Sequence, residues 1–108
     1  MIRKSFVEEN GRRVARVTFM LPNSIWADNI YLVGDFNDWN HSSHPFYVTR
    51  EGTWTFTLDL EVSRSYQFCY RRDGEWTNDG CADAYIHNHD GRDTFVVVTD
   101  PDFRAALS

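Results

Sequence analysis

Basic residues and cysteine are both scarce in this sequence. Its 108 residues include eleven Lys and Arg against sixteen Asp and Glu, which gives a formal net charge of -5. Binding to a phosphate backbone requires clustered Lys and Arg, so we expect no nucleic-acid partner. The two cysteines, Cys69 and Cys81, are too few for a disulfide framework. We expect both to be reduced, with a single bridge between them as the open alternative.

Long apolar runs are absent as well. No stretch approaches the roughly 18 consecutive apolar residues that span a bilayer, and the start, MIRKSFVEEN, lacks the apolar segment of a secretory signal. We therefore expect a soluble, cytoplasmic protein without a membrane partner. Hydrophobic residues make up 42% and charged residues 25% of the chain, which predicts one globular domain with a packed core.

The sequence also lacks the motifs of common enzymes, including a Gly-x-Ser-x-Gly elbow, a glycine-rich phosphate loop and a Cys-x-x-Cys pair. Paired carboxylates can hydrolyse glycosides, but so small a chain has no second domain to form a cleft. His87 and His89 on an extended segment would point the same way and could bind a metal ion with Asp90. A solvated loop is the alternative at that segment, and we expect no enzyme activity, cofactor or metal.

Hydrophobic residues recur with the period of two that is typical of half-buried strands, and no segment shows a helical period. This alternation predicts strands over residues 14–21, 29–33, 46–50, 53–60, 66–71, 75–77 and 95–99. Glu51-Gly52 and Asp73-Gly74 are expected to form tight turns. Short strands at intervals of about 8 to 12 residues predict an all-β fold, an antiparallel β-sandwich.

The domain organisation follows from where the predicted strands begin and end. We expect an N-terminal extension over residues 1–11, a β-sandwich domain over 12–99 and a C-terminal tail over 100–108. Chain ends of this kind are the expected flexible parts.

Aromatic residues are abundant, at 16% of the chain, and include four tryptophans. Trp54 alternates with Phe56 and is expected in the core, whereas Trp26 is ambiguous. Trp39 and Trp76 each lie in or beside a polar turn, where an indole serves either as loop packing or as a platform for a ligand. A platform suits a pyranose ring, because its C–H face can stack on the indole while its hydroxyls bond to polar neighbours.

Two motifs in order, Gly34-Asp35-Phe36-Asn37-Asp38-Trp39 and Asp73-Gly74-Glu75-Trp76, carry a resemblance to a known family. Together with Gly52-Thr53-Trp54 and the closing valines, they resemble carbohydrate-binding module family 48, from about Val14 to Val98. This family includes the glycogen-binding module at the N-terminus of isoamylases and branching enzymes and in the β subunit of AMP-activated protein kinase. The resemblance implies an immunoglobulin-like, early-set sandwich that binds α-1,4-linked glucans without cleaving them.

The resemblance also implies which residues bind sugar. Trp39 and Trp76 match the two stacking tryptophans, whereas Cys69 stands where the family has a lysine that bonds to hydroxyls. The family's loop leucine, threonine and asparagine fall near Asp90, Arg92 and Thr94. The candidate hydroxyl partners are therefore Gln67 and Arg71, on one strand face with Cys69, together with Asn78 and Thr94.

Three hypotheses follow for the function. The first is a non-catalytic module that binds glycogen, starch or maltooligosaccharide, acting in trans or beside a separate glycogen-metabolising enzyme. The second is a protein-interaction or regulatory domain that has kept the sandwich and lost sugar binding, which the departures at Cys69 and Thr94 favour. The third is an enzyme or metal protein that uses the segment from His87 to Asp93.

Overall fold

The computed structural model describes residues 2–21, 27–77, 83–87 and 93–101, without the side chains of Tyr85, His87 and Asp93. Nine strands and one turn of 3-10 helix, Asp35–Asn37, lie in these ranges. The strands are β1 Ile2–Glu9, β2 Arg12–Leu21, β3 Ile30–Gly34, β4 Tyr47–Val48, β5 Trp54–Glu61, β6 Ser65–Arg72, β7 Glu75–Thr77, β8 Ala84–His87 and β9 Asp93–Val98. The described ranges include no helix long and apolar enough to cross a membrane.

The strands form two antiparallel sheets, which confirms the predicted all-β sandwich. The first sheet has the order β1-β2-β5-β4. The second has the order β3-β6-β9-β8, and β7 pairs with β6 beside this path. The strand β6 is therefore central to the second sheet, with β3 along one edge and both β9 and β7 along the other.

The core lies between the inner faces of the two sheets. Every second residue of β2 is buried there, from Ala15 to Leu21, as the alternation predicts. The ring of Phe19 meets Phe68 of the second sheet edge to face, with ring centroids 5.1 Å apart. Trp54 differs from the prediction, because it is only half-buried and packs against the margin of the core. Trp54 is the first residue of β5 and stands opposite Leu21, the last residue of β2, so it lies where both strands end.

The N-terminal residues form a strand of the first sheet. The sequence predicts a flexible extension over residues 1–11, but Ile2–Glu9 pairs along its whole length with β2. The connecting turn at Asn10 and Gly11 has φ values of 51° and 77°. Two positive φ values in succession are typical of a type I′ hairpin turn. Asp73 and Gly74 have the same signature between β6 and β7, as predicted, with φ of 49° and 84°.

An ion pair ties β1 to the second sheet. Lys4 Nζ lies 2.6 Å from Asp83 Oδ2, and the two side chains are only 21% and 15% exposed. The same carboxylate oxygen accepts a hydrogen bond of 2.7 Å from the backbone N–H of Val98 in β9. Asp83 therefore joins the edge of the first sheet to the second.

We expect Asp83→Ala to lower the free energy of unfolding by about 1–3 kcal/mol, because it removes the carboxylate from a part-buried ammonium group and from a backbone donor. Urea denaturation measures the change. Arg12→Ala is the matched control, since its pair with Glu61 spans 4.0 Å between side chains that are 73% and 53% exposed. Such a pair contributes less than about 1 kcal/mol. Equal losses in both variants would contradict the assignment.

Candidate functional site

Four of the predicted site residues share the outer face of the second sheet. Arg71 of β6 stands directly opposite Trp76 of β7, and Gln67 of β6 stands opposite Val96 of β9. Directly opposed residues in an antiparallel pair lie on the same side of the sheet. Thr94, two residues before Val96, lies on that side too, and its Oγ1 donates a hydrogen bond of 3.1 Å to Gln67 Oε1. We call this side, which is opposite to the side that carries the buried pair Phe68 and Phe95, the outer face.

The indole of Trp76 is half-buried and carries two neighbouring groups. The guanidinium carbon of Arg71 lies 5.0 Å from the indole centroid, within the range of a cation–π contact. The imidazole of His41 meets the indole at 88°, with ring centroids 5.2 Å apart. Part of the surface of this indole is therefore occupied by the protein's own nitrogen-containing side chains.

Trp39 lies in the loop that follows β3, and one carboxylate fixes it to the sheet. Its indole Nε1 donates to Asp35 Oδ1 at 3.2 Å. The other oxygen of Asp35 accepts the backbone N–H of Gln67 at 2.7 Å. A single side chain thus connects the half-buried Trp39 with the strand that presents Gln67.

The backbone at Trp39 is strained. Asp38 and Trp39 have φ values of 54° and 57°, in the left-handed region that residues with a Cβ rarely adopt. Each such residue costs about 1–2 kcal/mol. Strain of this kind persists where the surroundings enforce it, often at binding sites.

His41 brings the two tryptophans to the same part of the molecule. It follows Trp39 by two residues, and its ring rests on Trp76. The loop that carries Trp39 therefore contacts the strand that carries Trp76. Neither indole is enclosed in the interior, since both are half-buried at the margin of the core.

A family model described as "Carbohydrate-binding module 48 (Isoamylase N-terminal domain)" matches residues 14–101. The chain belongs to this family. Its relatives include 1,4-alpha-glucan branching enzymes from Oceanobacillus iheyensis, 40% identical over 50 residues, and Bacillus mycoides, 36% identical over 64 residues. These matches cover 42% and 57% of this chain but only 8% and 10% of the relatives. The chain thus matches about a tenth or less of the length of either relative.

In this carbohydrate-binding module, hydrogen bonds of Asn37 explain the conformation of the motif from Gly34 to Trp39. Asn37 Oδ1 accepts the backbone N–H of Gly34 at 3.0 Å, while its Nδ2 donates to the carbonyl of Leu32 at 3.1 Å. The same Nδ2 donates to Ser43 Oγ, which closes the loop on itself. Phe36 stacks nearly parallel to His44, with ring centroids 6.0 Å apart. The residues around Trp39 therefore build the loop that holds it.

Two of the positions named from the sequence, Thr94 and Cys69, have buried side chains. Thr94 is 4% exposed, and its hydroxyl is engaged by Gln67. Cys69, at the position of the family's lysine, is 1% exposed and stands opposite the buried Val33 of β3. Gln67 and Arg71, by contrast, are each partly exposed. Among the predicted residues that the structure describes on this face, Gln67 and Arg71 are therefore the polar side chains with the greater exposure.

Several predicted residues lie outside the described ranges, namely Trp26, Asn78, Cys81, His89, Asp90 and Arg92. The side chains of His87 and Asp93 are not described either, so the metal hypothesis stays a prediction. Ala84–His87 itself is a strand, β8, which the sequence did not predict, and only its last residue belongs to the segment 87–90 for which a loop was the alternative to a metal site. Within the described ranges, no three His, Cys, Asp or Glu side chains cluster as a metal site would require.

Three further residues of this site are not predicted by the sequence. Asp35 and Asn37 belong to the motif that ends at Trp39, but the motif does not reveal their separate functions. His41 lies in the same polar loop, and nothing in its sequence context indicates contact with Trp76.

A surface depression of about 330 Å³ lies elsewhere, between the β1–β2 turn and the end of β5. It contains none of the predicted sugar-binding residues. Charged side chains line much of it, including Glu9 and Asp59, both of which bind Arg16. Aromatic platforms are the better candidate for a sugar site, because this depression has no aromatic lining residue.

Proposed function

We propose that this module binds α-glucan without catalysing a reaction, by stacking glucose rings on Trp39 and Trp76. The observation that carries the proposal is the contact of His41 with Trp76, which puts both half-buried indoles in one region. Indoles that are neither enclosed nor isolated offer apolar area to the C–H faces of a sugar chain.

Gln67 and Arg71 supply the polar contacts in this proposal. Both are partly exposed on the outer face. A guanidinium has several N–H donors in a planar fork, which suits neighbouring hydroxyl oxygens. Because Arg71 already lies over Trp76, a glucose ring that stacks there shares the indole with the guanidinium or moves it aside.

The proposed binding is weak. An aromatic contact contributes about 0.5–1.5 kcal/mol beyond the area that it buries, and with the buried area of both rings included we expect a dissociation constant of about 10 µM to 1 mM. Cys69 and Thr94 are enclosed and add no direct contact to a hydroxyl. Polar groups provide the orientation and selectivity of a site, so we expect modest discrimination among α-glucans.

The relatives support the choice of α-glucan over other polysaccharides. Both are named for a 1,4-alpha-glucan. We propose that the matched region attaches the protein to such a polymer in the cytoplasm, while any branching reaction belongs to the parts of the relatives that this chain does not match. A separate glycogen-metabolising enzyme is a proposed partner.

Titration of the intrinsic tryptophan fluorescence tests this function. We expect a saturable change with maltoheptaose and none with a β-linked glucan of similar length, because the relatives are named for a 1,4-alpha-glucan. The shape of the curve gives the dissociation constant. No response to the α-linked series, or an equal response to both series, would refute the proposal.

A protein-interaction module is the second candidate, and the enclosed Cys69 and Thr94 favour it, because they leave fewer sugar contacts. Its prediction differs in one measurable way. A protein partner would co-purify in a fixed ratio and stay bound when maltoheptaose is added.

A further inference from the structure

The strand β1 has one edge that the described part of the chain leaves unpaired. Its other edge bonds to β2 along all eight residues from Ile2 to Glu9. This strand also precedes the region that the family model matches, which begins at residue 14. It is long, regular and fixed to the second sheet through Lys4 and Asp83.

The charges along β1 are separated by sign. Arg3 and Lys4 occupy its first half, Glu8 and Glu9 occupy its second half, and Phe6 lies between them. A uniformly charged edge repels another copy of itself. An edge with one positive and one negative half instead attracts a second copy that runs in the opposite direction.

We propose that the edge of β1 left unpaired by the described residues pairs antiparallel with β1 of a second copy of this chain, with Phe6 opposite Phe6 of the second copy. In this register Arg3 faces Glu9 and Lys4 faces Glu8 of the second copy. Opposite charges that face each other across strands stabilise a pair, whereas like charges destabilise it. A parallel arrangement would place the like charges side by side.

The existing ion pairs fit the same register. Glu9 already binds Arg16 at 2.7 Å, so Arg3 of the second copy completes an alternating row of positive, negative and positive groups. Lys4 already binds Asp83, and Glu8 of the second copy extends that row in the same alternating manner. The new contacts therefore add to these pairs and replace neither.

Side chains of β1 alternate between the two faces of the sheet, and this alternation favours the proposed register over registers shifted by one residue. Phe6 points inward, since it stands opposite the buried Ala15 of β2. A shift by one residue would place the inward side chains of one copy beside the outward side chains of the other. With Phe6 at the centre, inward residues meet inward residues, and two four-stranded sheets join into one continuous sheet.

This arrangement has a consequence for ligand binding. The two-fold axis runs perpendicular to the joined sheet, so the outer faces of both second sheets point to the same side. Two weak sites that face one polymer act together, with an effective local concentration that reaches the millimolar range for closely linked sites. The pairing itself stands whether or not the ligand is a glucan.

Sedimentation equilibrium tests the pairing through a charge swap. We expect wild type to approach twice its mass of 12.7 kDa as its concentration rises. Arg3→Glu and Glu9→Lys should each raise the dimer dissociation constant about tenfold or more, since each places like charges opposite each other. An equimolar mixture of the two variants should restore the dimer, because Glu at position 3 then faces Lys at position 9.

The matched control is Glu51→Lys, which makes the same charge change as Glu9→Lys at an exposed turn residue far along the chain from β1. It should dimerise like wild type. The proposal is overturned if wild type stays monomeric up to about 1 mM, a concentration typical of linked sites. It is also overturned if the charge variants dimerise like wild type, or if their mixture fails to recover the dimer while circular dichroism shows folded protein.

Discussion

Replacing Trp76 with alanine should raise the dissociation constant for maltoheptaose about ten- to hundredfold, because it removes the apolar area of one complete stacking platform. Trp39→Ala should have a similar effect, and it also frees the carboxylate of Asp35 from its indole donor. With both indoles removed, retardation in a native gel that contains glycogen should disappear.

The matched control for these variants is Tyr47→Ala. Tyr47 is an aromatic residue that is 58% exposed on the first sheet, so its removal deletes a comparable ring away from the outer face. Its variant should bind like wild type. Both indoles also pack against the core, so thermal melts must show that each variant is folded at the assay temperature. Folded tryptophan variants that bind like wild type would remove Trp39 and Trp76 from the site.

Gly34→Ala should be among the most destabilising single substitutions in this chain, with a loss of about 2–4 kcal/mol. A Cβ at this position would lie 2.5 Å from the backbone oxygen of Gln67 and 2.8 Å from the ring of Phe36. The backbone of Gly34 is extended, with φ of -174°, so the cost arises from lack of space and not from the dihedral angle. Relief requires separation of β3 from β6, since Gly34 pairs with Phe68 there.

Gly74→Ala provides the comparison for this prediction. Its φ of 84° disfavours a Cβ, but no atom lies within 4 Å of one, so the expected loss is only about 1–2 kcal/mol. For a domain of this size each kcal/mol lowers the melting temperature by about 4–8 °C. Thermal denaturation that ranks Gly74→Ala as the more damaging change would contradict the close packing at Gly34.

The strands that sequence reasoning predicted are those whose burial follows a local pattern. In β2 each inward position holds an apolar residue, and the alternation is visible by inspection. In β1 the inward positions include Lys4 and Glu8, so the period of two is hidden. Lys4 is paired with Asp83, which lies 79 residues away in the sequence. The residues next to Lys4 therefore do not indicate that its charge has a partner. The turn residues Asn10 and Gly11 were the one local signal for this hairpin.

The candidate site was predictable in part for the same reason. Alternation along β6 places Gln67 and Arg71 on one face, and the register of the sheet bears this out. The link from Trp39 to β6 through Asp35 joins residues 32 positions apart, which no local pattern encodes. The burial of Thr94 likewise depends on its position in the interior of the folded sheet.

The strand β1 also changes what kind of assembly the first sheet can form. Without β1, the strand β2 would present its backbone donors and acceptors at the margin of the sheet, in a segment rich in valine and other apolar residues. Exposed segments of that composition template the growth of fibrils. With β1 in place, that margin carries positive charges in one half and negative charges in the other. One further molecule, related by a two-fold axis, pairs with all of these charges. Growth in that direction then ends at two chains.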